Sequence, residues 1–238
     1  MPRHRIAKYI TDSPWDSDIK KQARELTIID MYKHFFGDKL PSDKEYWSMC
    51  GSHFTENGQP ISGELGFLLE HGLITSNQYR GVDQEDSIIE KNRKLFPDIN
   101  WMSGDFVDTM ITNMSEGNFN PAVINYDGVM QPRFGVRYLK RVFSMIDNNF
   151  GDEVMVASNF TLTNPYTNDP KVTYTIEDTM NELAKVYWFP DHWTVFPHAC
   201  VYSGSRKGSV KMGVIIFIKC KHDIHNFSHT PNRIVGLT

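Results

Sequence analysis

The sequence predicts an α/β domain built on a mostly parallel sheet, and three features predict it. Short apolar strands alternate with helical segments between Tyr46 and Tyr187, a pattern that feeds parallel pairing through helical crossovers. Two β-rich stretches, 193–202 and 210–220, flank Ser203-Gly-Ser-Arg-Lys-Gly208, a hairpin signal that adds an antiparallel edge. Acidic residues Asp83 and Asp105 fall just past the second and third strands. Right-handed crossovers gather strand carboxyl ends on one rim, where such sheets receive polar ligands.

Ahead of the sheet, the segment 17–37 carries Ile19, Ala23, Leu26, Ile29, Tyr32 and Phe36 on one helical stripe, with Gly37 as a stop. The first strand spans 46–50. A long loop, 51–61, holds Gly51, Gly58 and Pro60, and Ser62 caps a helix with Leu65, Leu68 and Leu69 on its apolar stripe. Gly72 ends that helix. The second strand is 79–83, followed by a helix over about 86–95 that Pro97 terminates. The third strand, 99–102, precedes a helical stretch over 105–114, and a buried strand with a polar end occupies 120–128. Val136, Leu139, Val142 or Phe143, and Ile146 set a helix over 135–148. A fifth strand (153–157), a polar loop (158–169) and a helix (176–187) lead to the closing hairpin. Seven strands are therefore expected: an N-terminal arm and helix over 1–44, the sheet domain over 45–222, and a flexible tail over 223–238.

With 238 residues, 40% of them hydrophobic and 23% charged, the chain suits one soluble domain with a substantial core. A net charge of −4 argues against a wholly basic nucleic-acid coat but allows a local basic face. No apolar run approaches the roughly 18 residues that span a bilayer. The opening Met-Pro-Arg-His-Arg-Ile-Ala-Lys lacks the apolar core of a secretory signal. Three scattered cysteines form no disulfide framework, so a cytoplasmic setting is expected.

The rim is predicted to carry Cys50-Gly51, Asp83, Asp105, Asn125-Tyr126-Asp127 and Asn159. These residues resemble the class I S-adenosylmethionine-dependent methyltransferases, a Rossmann-like family, over about 46–219. Gly81-Val82-Asp83 is similar to the family's acidic ribose-binding strand end, with Gln84 beside it. Gly104-Asp105-Phe106 resembles the segment that brackets adenine, and Ile124-Asn125-Tyr126-Asp127-Gly128 falls where the family's fourth-strand substrate motif lies. The closing hairpin is similar to the family's antiparallel sixth and seventh strands. The glycine loop departs from the family's Asp/Glu-x-Gly-x-Gly-x: here it reads Met49-Cys50-Gly51-Ser52-His53, with one glycine.

The resemblance implies S-adenosylmethionine as cofactor. Asp83 would hold the ribose, Asp105 and Phe106 would flank adenine, and Cys50, Gly51 and Ser52 would hold the methionine tail. Glu64 would meet the ammonium. Asp127 would act as base or orient an amino acceptor, with Tyr126 lining the acceptor and Asn125 beside it. Each has a plainer reading: Asp83 as a turn acid, Asp105 as a helix cap, Glu64 as a helix-start acid, and 125–127 as a strand end satisfying loop backbone. Arg133, Arg137, Lys140 and Arg141 recur at helical spacing and would bind nucleic-acid phosphates or form a solvated face.

Other motifs count against rival chemistries. Gly-x-Gly-x-x-Gly is missing after the first strand, which disfavours a nicotinamide dehydrogenase. Cys50 reads as a buried strand-end thiol rather than a nucleophile. His198-x-Cys200 and Cys220-x-His222 have the spacing of a zinc site, but a turn centred near Arg206 would pair Cys200 with about Met212, away from Cys220. Asn164-Pro165-Tyr166 reads as a turn, and the end around His225 and His229 as a polar tail.

Overall fold

The computed structural model describes residues 32, 35–51, 63–149, 153–162, 176–188, 193–203, 211–219 and 234–235. Most of the expected N-terminal helix lies outside them. Tyr32, Phe35 and Phe36 are helical, and Gly37 follows at φ 74°.

The strands are β1 (Glu45–Met49), β2 (Tyr79–Asp83), β3 (Asn100–Ser103), β4 (Pro121–Met130), β5 (Val154–Thr161), β6 (Trp193–Ser203), β7 (Lys211–Lys219) and β8 (Ile234–Val235). Among the described residues the helices are α1 (Gly63–Glu70), α2 (Asp86–Leu95), α3 (Phe106–Ser115), α4 (Pro132–Asn149) and α5 (Ile176–Ala184). The eight-stranded sheet runs β3-β2-β1-β4-β5-β7-β6-β8. Pairing is parallel from β3 through β5 and antiparallel where β7 meets β5 and β6. The expected mostly parallel sheet with an antiparallel hairpin is thus present. One further two-residue strand, β8, runs parallel to β6 beyond the seven expected.

Both faces of the sheet are covered, as its parallel part requires. On one face, Leu65 and Leu68 of α1 and Ile89 of α2 pack over Tyr46, Tyr79 and Trp101. On the other, Val107 and Met110 of α3, the Val136–Leu139–Phe143–Ile146 stripe of α4 and Leu183 of α5 pack over Trp47, Val82, Ile124 and Val156.

Several boundaries move from expectation for visible reasons. Helix α4 begins at Pro132 instead of 135, because proline's missing N–H is no loss in a first turn. Strand β5 continues to Thr161, so Ser158 and Asn159 are strand residues; pairing with Ile215 and Val214 of β7 carries the ladder past 157. The hairpin register sets Cys200 opposite Val214, with Tyr202 opposite Met212, two positions from the pairing expected for Cys200. Cys220 and His222 lie outside the described residues.

Two polar anchors hold the layers. Asp147 near the end of α4 accepts the Tyr187 hydroxyl and, at 2.8 Å, Trp193 Nε1 of β6, with Lys219 Nζ of β7 at 3.8 Å. Lys219 also donates to the Ile146 carbonyl at 3.1 Å. At the amino end of the sheet, Glu45 pairs with Arg80 at 2.8 Å and accepts from Trp47 Nε1 at 2.8 Å.

Gly81 lies where Trp101 crosses β2. A Cβ there would stand 2.4 Å from two ring carbons of Trp101 and 3.3 Å from Cys50 Sγ. The indole cannot yield easily, since it is buried and its Nε1 donates to the Phe96 carbonyl at 2.9 Å. Gly81→Ala is therefore expected to destabilise the fold by about 1–3 kcal/mol through overpacking. In urea unfolding, Gly81→Ala should cost less in a Trp101→Leu background than in the wild type; equal costs would dismiss the clash.

Candidate functional site

Strand order reverses at β1: the chain steps outward through β2 and β3, then returns to the other side of β1 as β4. The crossovers that follow β1 and β4 leave in opposite directions, and a crevice opens beyond their carboxyl ends. The described rim consists of Cys50-Gly51, Asp83-Gln84, Gly104-Asp105, Asn125 to Asp127, and Ser158-Asn159. Ser52 lies outside the described residues.

Asp83 closes β2. Its Oδ1 accepts the Glu85 backbone N–H at 2.9 Å. Among the described residues its side chain makes no ion pair. Burial pushes its carboxyl up to about 6, against the relief given by the backbone N–H groups of Glu85 and Gln84. A carboxylate so short of donors is prepared to accept hydroxyls. The backbone carbonyl of Asp83 accepts Gly104 N at 2.9 Å, tying the β2 and β3 ends together. Gly104 has φ 145°, a conformation that favours glycine, and a Cβ would meet Thr109 Oγ1 at 2.9 Å.

Asp105 is the N-cap of α3: its Oδ1 accepts Val107 N and Asp108 N, each at 3.1 Å. Its other oxygen faces the rim, where Gln84 Nε2 stands at 3.5 Å. The plainer reading of Asp105 as a cap therefore describes one of its two oxygens. Phe106 turns its ring into the core, 3% exposed and 6.2 Å from the Tyr126 ring centroid. Its backbone, not its ring, borders the crevice.

Cys50 donates its backbone N–H to Val82 at 3.0 Å, and its thiol is buried. Burial, with the Asp83 charge adding, raises the thiol well above its ordinary range, so it stays protonated. Gly51 gives its carbonyl to Asn92 Nδ2 at 3.0 Å, a loop anchor absent from the sequence reading. Among the described residues, no heavy atom lies within 4 Å of a Cβ built on Gly51.

Glu64, in the first turn of α1, points between β1 and β4. Its Oε1 accepts the Tyr46 hydroxyl and, at 2.5 Å, Asn125 Nδ2, and its Oε2 accepts Ser48 Oγ at 2.7 Å. Tyr46 is held protonated far above its usual range, first by burial and then by the Glu64 charge. Neither Tyr46 nor Ser48 stood out in the sequence; the available signal was polar groups at alternate positions of an otherwise buried strand.

Strand alternation separates the fourth-strand motif. Tyr126 turns to the face of Phe106 and Tyr138, opposite to Asn125, and the register shifts directly after it, so plain alternation stops at Asp127. Burial raises the Tyr126 hydroxyl far above its ordinary range, with Tyr138, Asp105 and Asp127 adding, so it can donate a proton in a hydrogen bond but not act as a base. Four buried polar atoms of β4 and β5, near the carboxyl end of β1, have no hydrogen-bond partner among the described residues: Asn125 Oδ1, Tyr126 Oη, Ser158 Oγ and Asn159 Oδ1. Native interiors rarely leave such groups unpaired unless a ligand or water meets them.

The basic residues of α4 are exposed. Arg141 is engaged: it pairs with Asp108 and lies 3.8 Å from Asp105. The Arg133 guanidinium sits 4.6 Å above the ring of Phe134, which is 51% exposed.

Neither a family model nor a curated protein sequence matches this chain. Solved structures do. An O-methyltransferase from Bacillus cereus in complex with SAH aligns at TM-score 0.52 and 9% identity, covering 87% of this chain and 84% of that one. The plantazolicin methyltransferase BamL, in complex with a triazolic desmethylPZN analog and SAH, aligns at 0.52 and 9%, covering 88% of each chain. The plantazolicin methyltransferase BpumL, in complex with a pentazolic desmethylPZN analog and SAH, aligns at 0.50 and 12%, again covering 88% of each. At these identities the likeness is one of architecture, and it agrees with the strand order: the chain has the class I methyltransferase fold.

Proposed function

We propose that this chain is an S-adenosylmethionine-dependent methyltransferase, with nucleic acid the first candidate for its acceptor. The observation that carries the reading is Asp83, a desolvated carboxylate at the tip of β2 beside the crevice where strand order reverses. The rim suits the cofactor on a further ground: buried polar atoms of β4 and β5 that have no hydrogen-bond partner among the described residues. The structures similar to this fold hold SAH, the demethylated product.

When bound, S-adenosylmethionine supplies a methyl group on an electrophilic sulfonium. Asp83 would accept hydrogen bonds from the ribose hydroxyls. Asp105 would accept from the adenine amine through Oδ2 while Oδ1 keeps its cap. The Cys50-Gly51-Ser52 segment would hold the amino-acid end by its backbone, since the Cys50 thiol is buried. Asp127 would orient the acceptor or take its proton where one must leave, and the pocket's main contribution is alignment of acceptor and methyl. Glu64 already accepts three donors of the fold, so an ammonium there would share the carboxylate with them. The single-glycine loop favours a second reading, a module that binds the cofactor without turnover.

Calorimetry with S-adenosylmethionine, S-adenosylhomocysteine and NAD tests the cofactor, and labelled methyl transfer to nucleic-acid and protein pools tests turnover. Binding of the first two ligands is expected, and Asp83→Ala should weaken it by roughly tenfold or more. If none binds, the reading fails. Affinity should also fall as pH drops below about 6, because the proton that returns to Asp83 removes its acceptor charge. Asp83→Asn should abolish that dependence.

Stability runs the other way. A folded carboxyl pKa above the unfolded value contributes stability at low pH that is lost as pH rises through about 6. Ligand-free Asp83→Asn is therefore expected to melt roughly 2–4 °C higher than wild type at pH 8, while binding ligand worse. A lower melting temperature would show that the charge is well solvated.

For the acceptor, Arg133, Arg137 and Lys140 stand exposed on α4 beyond β4. Replacing all three with alanine should weaken nucleic-acid binding and flatten its salt dependence. Unchanged binding would move the acceptor to another face or another class.

A further inference from the structure

Glu64 spans the seam where Ser48 of β1 stands opposite Asn125 of β4. A carboxylate has only acceptor sites, so the end of the Asn125 amide that faces it must be the donor end. Asn125 Nδ2 makes that bond at 2.5 Å, while Tyr46 and Ser48 hold the carboxylate from the β1 side. The amide cannot flip without setting its oxygen against Glu64. Its Oδ1 is thereby turned away, in a residue only 4% exposed, and has no partner among the described residues. Asn159 lies on the same sheet face, two residues beyond Ala157, the partner of Asn125 in the register. It is 8% exposed, and its Oδ1 is orphaned too. A hydroxyl has one proton and can serve one such acceptor, whereas an amine or ammonium can serve two.

We propose that Glu64 is a positioning residue that locks the Asn125 amide, so that Asn125 Oδ1 and Asn159 Oδ1 receive an amine or ammonium on β4 and β5 near the carboxyl end of β1. The inference rests on the methyltransferase reading, which offers two sources of that chemistry: the ammonium of the cofactor and an amine on the methyl acceptor.

The lock is tested first in ligand-free protein. In nuclear magnetic resonance spectra, one Nδ2 proton of Asn125 should lie downfield and exchange slowly with water. Glu64→Ala should return it to the position of a free asparagine, and Glu64→Gln, which keeps a carbonyl acceptor, should retain much of the shift. A wild-type signal at the free position overturns the lock, whether or not a cofactor binds. Where Glu64→Ala does not fold, Glu64→Gln and Asn125→Ala carry the test, with circular dichroism as the control.

The source of the N–H group follows from S-adenosylhomocysteine and 5′-methylthioadenosine, the same nucleoside without the amino-acid end. If Asn125→Ala weakens the first by roughly tenfold and leaves the second unchanged, the group is the cofactor's ammonium. If both bind as before while kcat/KM for methyl transfer falls by a similar factor, it is the acceptor's amine. If binding and transfer are all unchanged, the proposal is overturned. Wild-type protein that binds neither nucleoside would sink the methyltransferase reading separately. Methylammonium titrated against the Asn125 amide then decides: a shift supports the site and no shift overturns it.

Discussion

Everything on the rim depends on the position of β1 between two parallel neighbours. With β2 on one side and β4 on the other, Tyr46 to Ser48 of β1 are paired on both edges. The only polar atoms it can offer are those of its end and its side chains. Ser48, Tyr46 and the turn at Cys50-Gly51 are therefore where chemistry can attach, and Glu64 engages the first two from α1. Because the chain leaves β1 and β4 in opposite directions, nothing of the sheet itself fills the space above their ends.

The same geometry explains an asymmetry among the rim acids. Asp105 spends one oxygen on capping α3, and Arg141 stands 3.8 Å from it. Asp83 accepts the backbone N–H groups of Glu85 and Gln84, yet burial still raises its carboxyl to about 6. Two carboxylates that look alike in sequence thus differ in what they need. The first completes a helix, and the second is held in an environment that resists its ionisation.

Much of this was legible in the residues. Tyr79 to Asp83 and Asp86 to Leu95 begin and end where glycine, acid and proline signals place them, because those signals act over a few neighbours. The hairpin was legible in outline, though its register depends on an irregularity between Phe196 and Cys200 that no local motif announces. Ser158 and Asn159 resemble loop residues in composition, yet β7 pairs with them as strand. The Glu64 cluster was out of reach for a deeper reason: its members are 16, 18 and 61 positions from the acid and meet only after β4 docks. Likewise, Gly81 reads only as part of the Gly81-Val82-Asp83 strand end until Trp101 is seen against it.

Asp147 has a consequence for how the molecule comes apart. One carboxylate at the end of α4 holds Tyr187 past α5, Trp193 at the start of β6 and Lys219 at the close of β7. The hairpin cannot peel from the parallel half without stripping that charge of its donors in a largely desolvated place. Loss of the carboxyl-terminal strands and melting of α4 are thereby coupled through one carboxylate, which raises the cost of a half-folded state with an open sheet edge on β5.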